Sequence, residues 1–583
     1  MRRCRPEITV IAVLAIVTAS VFWCVLGADF VAWDDDVEVY ANPHLTGVTP
    51  DALRWMFFGT GYVVRYQPLT WLTWSIVFEL FQLRPVGYHL ASLLFHCLNT
   101  ALVFLLIRRL LLLAQPGETN GAKRPHLLVS AGLGALLWAV HPLRVEVVAW
   151  ASAFLHCQAL FFLLVAALCY LEAGTRLDSS RRLYYWASVA SFMLSLLSYP
   201  IGLGFVVVIM VLDFYPLKRF AGSFWSGAAW RIWREKLPFV GAAGLVLGFT
   251  LLLRFNTSAT WQRPVSLADF GVVDRVMQAC YVWAYYLWKP WVPFNLSPIY
   301  MTLGSFMPWS LPFVSSLGLI LALSVVLAWN RERWPGAAGL WVCHLAWLVP
   351  VLGLTEHPHC ANDRYGLVVG LFWSILGAAM LVKLCDRRGA FLAGVMGTIL
   401  LVGFLGSLSV RQIGIWNNSV SLFQYILTRL GDDPYRSVIY VRLGIAQTKA
   451  GHPLEAAAAF NEAVRIDPNN RIAHFNLGEI YSSRGNWAEA KKHYSRAVEL
   501  APDDVDALNN LGIVLAAMKD LPGAADCFSQ AVRTHPQSLN SNYNLGLTLQ
   551  KLGKSEEGRV YLERADQLRR GSASSAAPLS PGH

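Results

Sequence analysis

Runs of residues with little or no charge recur along this chain at roughly 8–28, 88–107, 127–141, 147–171, 183–199, 201–216, 237–253, 309–330, 335–355, 365–382 and 389–410. The first, Ile8 to Ala28, is 21 residues without a single charge. A stretch of that length crosses the hydrocarbon core of a bilayer as a helix. In lipid every backbone N–H and C=O must be satisfied within the protein, so a chain built from such runs becomes a helical bundle. Composition agrees: 55% of the 583 residues are hydrophobic and 15% charged, and the 23 tryptophans and 21 tyrosines suit the two membrane–water interfaces.

The basic residues say which side each connection occupies. Arg2, Arg3 and Arg5; Arg108, Arg109, Lys123 and Arg124; Arg176, Arg181 and Arg182; Lys218, Arg219, Arg231, Arg234 and Lys236; Arg331 and Arg333; and Lys383, Arg387 and Arg388 fall in alternate connections. With the N-terminus inside, about eleven spans put all of them on the cytoplasmic side. The count requires that 272–292, aromatic and carrying Asp274, Arg275 and Lys289, lies at the interface or is only partly inserted. Twelve spans would expose Arg331 and Arg333 outside. Arg2, Arg3 and Arg5 ahead of an apolar run also fit a signal peptide, but the run exceeds the usual core of one and is expected to stay as the first span.

The net charge of +11 would suit nucleic acid, yet the cations sit in short connections between apolar runs, so membrane topology accounts for them and no nucleic-acid partner is expected. The ten cysteines are scattered with no Cys-x-x-Cys pair, which argues against a disulfide framework or a zinc site. His357, His359 and Cys360 form a short cluster without a separated fourth ligand, and no metal site is expected there.

After Arg411 the chain changes character. Leu443-Gly444, Leu477-Gly478, Leu511-Gly512 and Leu545-Gly546 repeat every 34 residues, and Pro434, Pro468, Pro502 and Pro536 share the period. Ala456, Ala490 and Ala524 each stand four residues before an aromatic, Phe460, Tyr494 and Phe528. This is the tetratricopeptide pattern, in which each unit is a helix pair and stacked units form a solenoid with a peptide-sized groove. The organisation expected is all-α: a membrane domain over 1–410 with a first outer loop at 29–87, a linker or leading helix over 411–434, four repeats over 435–570, and a disordered tail over 571–583.

The first outer loop carries Trp33-Asp34-Asp35-Asp36 directly after the first span. A carboxylate cluster at a membrane face must be hydrated, paired or used. It is either a solvated turn or a catalytic base. Polar residues also mark the outer ends of other spans. His89, Ser92, His96 and Asn99 line one face of the second, where they either bond to neighbouring helices or face a wet cavity. His141, Arg144 and Glu146 precede the fourth, and Asn362, Asp363 and Arg364 precede the tenth. Carboxylates, histidines and arginines (Arg65, Arg144, Arg263, Arg364) thus fall on one side from distant parts of the chain. A lipid-linked phosphate donor needs such a set, with guanidinium for the phosphate and a carboxylate to deprotonate an acceptor hydroxyl.

Phe30-Val31 and Trp33-Asp34-Asp35 with Asn42-Pro43 downstream resemble the first extracytoplasmic loop of the transmembrane and tetratricopeptide-repeat (TMTC-type) O-mannosyltransferases, above all their bacterial relatives. Tyr66-Gln67-Pro68, Tyr88-His89 with His96, His141-Pro142 with Glu146, Asp213 with Pro216-Leu217, Asp363-Arg364-Tyr365, and Trp416 and Ser419 with Leu422-Phe423 continue the likeness across nearly the whole chain. The resemblance implies an inverting GT-C glycosyltransferase that takes a mannose-like sugar from a polyprenyl-phosphate donor to protein hydroxyls outside the cytoplasm. Asp34 and Asp35 would supply the base, with Asp36 making a triplet that leaves its identity open. Arg65, Tyr66, His89, His141, Glu146, Asp363 and Arg364 would bind donor or substrate, and the repeats would recruit the acceptor polypeptide. No organic cofactor is implied and a metal requirement is not assumed. A bacterial inner membrane with periplasmic repeats is the expected setting. The chain departs from those relatives at Phe154-Leu155-His156, where they carry Arg-Lys-Asp, and at Ser198-Tyr199-Pro200, where they carry Ala-Lys-Pro. Those lost charges keep a non-catalytic membrane scaffold open as a second reading. A third is a transporter or ligase of lipid-linked polymers.

Overall fold

A computed structural model describes residues 6–59, 62, 66–114, 124–220, 226–256, 265–300, 307–354 and 361–575. They form helices and turns, and the chain divides into two compact units, Met1–Arg429 and Leu430–His583.

In the first unit seven helices among the described residues are long and apolar enough to cross a membrane: Pro6–Gly27, Pro85–Ala114, Ala151–Thr175, Ala229–Leu253, Leu311–Trp329, Asp363–Lys383 and Arg388–Trp416. An eighth is made if Pro125–Ala139 and Pro142–Ala149, bent by 61°, count as one span. The other three apolar runs are helical as well, as Ser180–Ser198, Pro200–Phe214 and Pro335–Val351. The protein is therefore a multi-pass helical membrane protein, with between seven and eleven helices to carry the crossings. Val272–Trp288 is a 17-residue helix outside the spanning set, and its Met277, Val282, Tyr285 and Tyr286 are buried. It packs with Leu348, Leu352, Ala361 and Val369.

The bend before Pro142 has a local cause. Proline brings no N–H to continue the ladder, and His141 Nδ1 accepts from Leu143 N–H at 3.2 Å, capping the new turn. A second break follows at Trp150, which is extended, before the chain turns through Ala151–Ala153 into Phe154–Thr175.

The outer loop is folded. Thr49 caps Pro50–Phe58, its Oγ1 accepting from Ala52 N–H at 3.1 Å, and Pro68–Phe81 follows. Val39, Leu45, Met56, Trp71, Trp74 and Tyr88 form one buried cluster with Ala151 and Phe154, which seats the loop on the second break. The stretch expected as a linker or leading helix holds the helix Ser419–Leu427 and belongs to this unit, which runs to Arg429 rather than ending near 410. Trp416 is buried and stacks on Trp150 at 5.8 Å, Trp33 lies 6.1 Å from Phe423, and Tyr425 donates its hydroxyl to Leu296 O at 2.9 Å. Ala32 N–H donates to Ser419 Oγ at 2.8 Å, and Asp29 N–H to Asn417 O at 2.8 Å.

The second unit is four helix pairs: Arg436–Lys449 with Pro453–Ile466, Arg471–Ser483 with Trp487–Leu500, Val505–Ala517 with Leu521–Thr534, and Leu539–Lys551 with Ser555–Ser575. The glycine of each Leu-Gly pair is where the partner helix comes closest. A Cβ on Gly444, Gly478 or Gly512 would lie 2.6, 2.7 or 2.6 Å from the ring of Phe460, Tyr494 or Phe528, and one on Gly546 would meet Leu562 at 2.7 Å. Pro468, Pro502 and Pro536 stand two residues beyond the ends of the second helices, as helix stops should. The last helix reaches Ser575, five residues into the segment expected to be disordered, because Ser555 onward continues the helical pattern of the fourth unit.

Candidate functional site

The acidic loop is organised by Asp35, which is fully buried. Its Oδ2 accepts from Val31 N–H at 2.9 Å, and its Oδ1 accepts from Ser152 N–H at 2.8 Å and from the Ser152 hydroxyl. The break at Trp150 creates this partner: the first N–H groups of a new helix have no carbonyl within their own helix, and a carboxylate is the natural acceptor. Burial pushes the Asp35 carboxyl up to about 7, the hydrogen bonds from Ser152 and Val31 pull it down, and the Asp34 charge adds to the rise.

Asp34 is half-buried beside this anchor, and its carbonyl takes Glu38 N–H at 2.8 Å, opening one wide turn through Asp36–Tyr40. Asp36 Oδ1 is buried without a partner among the described residues. Glu38, not foreseen as part of the site, is fully buried and accepts from Gln67 Nε2 at 2.9 Å. Its only sequence signal is its place two residues after the triplet.

On the other side of the same break stands Arg364. Its Nη1 lies 2.9 Å from Glu146 Oε1, and its guanidinium lies 5.7 Å from the Trp150 ring and 5.1 Å from the Tyr365 ring. The two stretches read from the sequence as departures from the family pattern meet here, since His156 lies 4.6 Å from the Tyr199 ring and 6.0 Å from the Tyr365 ring. Asp35 and Arg364 thus reach Ser152 and Trp150, two residues apart.

Asp363 is buried and turned to another group. Its Oδ1 accepts from Tyr285 at 3.0 Å and Tyr300 at 2.8 Å. Burial raises both phenols, and the Asp363 charge adds to it. Lys289 stands close by, donating to Phe294 O at 2.9 Å and lying 5.4 Å from the rings of Trp288 and Tyr300. Burial pulls its ammonium below the usual lysine range, with Asp363 opposing. Tyr285, Tyr300 and Lys289 were read only as interface residues of 272–292 or not singled out.

The remaining expected residues are placed elsewhere. His141 is occupied on both nitrogens, Nδ1 by Leu143 N–H and Nε2 by Pro290 O at 2.9 Å, so it fastens the bend to the turn after Lys289. His89 is fully buried in Pro85–Ala114. Further along that helix His96 Nε2 bonds Ala139 O and Asn99 Nδ2 bonds Cys157 O, each at 2.9 Å, so these two members of the stripe join helices. Tyr66 gives its hydroxyl to Phe57 O at 3.3 Å and packs on Phe249. Arg144 is directed into the bundle, with Nε on Trp138 O at 3.1 Å and its side chain against Gly370. Arg65, Arg263, His357, His359 and Cys360 lie outside the described residues. Among the described residues no group of three or more His, Cys, Asp or Glu side chains is placed to hold a metal ion.

Fold and repeats together define a multi-pass helical membrane protein that carries C-terminal tetratricopeptide repeats. Family models of the tetratricopeptide repeat match residues 441–505, 481–538 and 539–571. The chain is TMTC-like, and the resemblance read from its motifs is borne out at modest identity. It is 25% identical over 384 residues to protein O-mannosyl-transferase TMTC4 of Homo sapiens, covering 60% of this chain and 48% of that protein. Over 131 residues it is 36% identical to protein O-mannosyl-transferase Tmtc1 of Drosophila melanogaster, 21% of this chain and 14% of the relative. Over 170 residues it is 30% identical to TMTC3 of Mus musculus, 28% and 17%. The chain thus matches less than half the length of these curated relatives. Among solved structures, a crystal structure of MamA is similar over 28% of this chain and 94% of its own, at 21% identity and a TM-score of 0.26.

Proposed function

We propose that this protein is a membrane glycosyltransferase of GT-C type that moves a mannose-like sugar from a polyprenyl-phosphate donor to hydroxyl groups of protein outside the cytoplasm. The names of its relatives support sugar transfer to protein. One observation carries the assignment of the base: both carboxylate oxygens of Asp35 are taken by Val31 and Ser152, while Asp34 beside it is half-exposed. Asp35 is then the positioning residue that fixes the loop, and Asp34 is the general base.

In the reaction Asp34 takes the proton of an acceptor serine or threonine as the hydroxyl oxygen bonds to the anomeric carbon. The bond from that carbon to the phosphate oxygen breaks on the opposite face, inverting the centre and releasing the lipid phosphate. Arg364 faces the leaving phosphate. One of its nitrogens is held by Glu146, and the remaining donors of the guanidinium fork suit two phosphate oxygens. The tetratricopeptide repeats bring the acceptor polypeptide, and the membrane is a bacterial inner membrane with the acidic loop on its periplasmic face. No metal or organic cofactor is assigned a step.

The test is transfer from labelled polyprenyl-phosphate mannose to membrane protein by the full chain and by Asp34→Asn, Asp35→Asn and Asp36→Asn, matched for insertion and melting behaviour. Loss of a general base lowers turnover by roughly 10²–10⁴-fold. That loss is expected for Asp34→Asn in a folded protein. Full transfer by Asp34→Asn would remove it from the chemistry, and equal loss by Asp36→Asn alone would move the base to that residue.

A further inference from the structure

The helix Ala151–Thr175 begins at the turn that holds Asp35. At a rise of about 1.5 Å per residue it ends roughly 35 Å away, close to the thickness of a bilayer's hydrocarbon core. At that far end is a cavity of about 660 Å³, and Tyr170, Tyr185, Arg181, Arg182, Arg219 and Glu235 are among the residues that line it.

Its floor is a buried ion network. Asp213, fully buried, accepts from Tyr170 at 2.8 Å and from Arg219 at 3.0 Å and is bonded by Lys236. Glu235 is shared by Arg219 and Arg181, each at 2.7 Å. Two carboxylates therefore serve three cations. Asp178, on the rim, is 3.6 Å from Arg176 and offsets it, and Glu172 and Arg109 next to it offset each other. Arg182 is exposed, and no ion pair is formed by it among the described residues. The cavity carries a surplus of two positive charges, one of them on Arg182.

The rim is apolar. Leu177 lines the cavity and is 101% exposed, and Leu183 and Trp186 on the neighbouring helix are 71% and 54% exposed. A charged cavity at the end of a span, bordered by bare leucine and tryptophan, suits a molecule with an anionic head and an apolar tail better than a free ion. Basic pockets between spanning helices on the cytoplasmic side hold anionic headgroups, and the alternation of basic loops puts this end there.

The geometry points to a binding site for the phosphate-bearing headgroup of an anionic phospholipid of the inner leaflet, held by Arg181, Arg182 and Arg219. It stands at the opposite membrane face from the acidic loop and is independent of the reaction assigned there.

Native mass spectrometry of the purified full chain tests it, with phosphatidylglycerol or phosphatidylcholine added and inorganic phosphate as competitor. Each arginine near an anionic surface contributes about a fivefold preference. The native chain is expected to retain phosphatidylglycerol over phosphatidylcholine by at least about that factor. Arg182→Ala should cut the preference about fivefold, Arg181→Ala with Arg182→Ala should abolish it, and Arg182→Lys should keep most of it. Inorganic phosphate at millimolar concentration should leave the lipid bound. Equal retention of the two lipids by the native chain, or a preference unchanged in the double variant, overturns the site. Displacement of the lipid by phosphate alone overturns the lipid as its occupant and leaves a soluble phosphate anion in its place.

Discussion

Replacing Asp35 by asparagine separates a loop anchor from a reacting group through the pH dependence of stability. In the folded protein burial holds this carboxyl at about 7, against a reference value of 3.8. The folded state then binds a proton that the unfolded state releases, so stability falls as pH rises from about 4 through about 7. Three units at about 1.4 kcal/mol each set a ceiling of about 4 kcal/mol on that fall. Asparagine removes the titration. Its Oδ1 can still accept from Ser152, but its amide NH₂ meets the Val31 N–H where Oδ2 accepted, leaving a buried donor unpaired at a cost of about 1–3 kcal/mol. The variant should therefore melt below the native protein at pH 5, and the gap should close or reverse by pH 8.5. Tryptophan-fluorescence melts of both proteins in the same detergent at five pH values provide the measurement. A gap that stays constant across that range would refute the reasoning, because the carboxyl would then titrate alike in both states.

Three further outcomes follow from the structure. His474 and His493 are buried in the repeats with Nδ1 atoms 3.0 Å apart, and burial pulls both below the usual histidine value, His493 to about 4 with His474 and Lys492 adding. The unfolded chain takes up protons first, so this unit should lose stability as pH falls below about 6.5; hydrogen exchange in Arg471–Leu500 at pH 7.5 and 5.0 measures it, and His493→Gln should flatten the trend. Gly478→Ala puts a methyl 2.7 Å from Tyr494 ring carbons and should destabilise the repeats by about 1–3 kcal/mol in a denaturant titration. Arg364→Lys keeps the charge but loses the planar fork that pairs with Glu146 and, in the proposed reaction, with the donor phosphate, so sugar transfer should drop at least about tenfold without loss of the folded protein.

The repeats were legible because their contacts are local: a 34-residue period writes the glycine, the aromatic and the proline at fixed offsets. The spans were legible because lipid forbids charge, and the uncharged runs are helical over most of their length, the break at Trp150 excepted. The residues of the candidate site were legible in part, as the acidic triplet and, through the resemblance, as Glu146 and Arg364, but their partners were not. Asp34 and Asp35 stand out where a span stops, but Ser152 is an ordinary residue within an apolar run, and its pairing with Asp35 spans 117 residues. Glu146 and Arg364 are 218 residues apart, and neither has a local pattern that names the other. The stretch after 410 read as a linker or leading helix apart from the membrane domain, because Trp416, Ser419 and Phe423 form too short a pattern to show that their partners lie at Trp150, Ala32 and Trp33.

The contact between Ala32 and Ser419 has a consequence for biosynthesis. Ala32 finds its partner in Ser419, 387 residues later. At about 5–20 residues per second the ribosome needs roughly 20–80 s to make that interval. Throughout it the acidic loop already stands outside the first span without the side chains that fix its far edge. The loop can take its final shape only after the last helix of the bundle has been made, so the acidic turn is among the last parts of this unit to be completed.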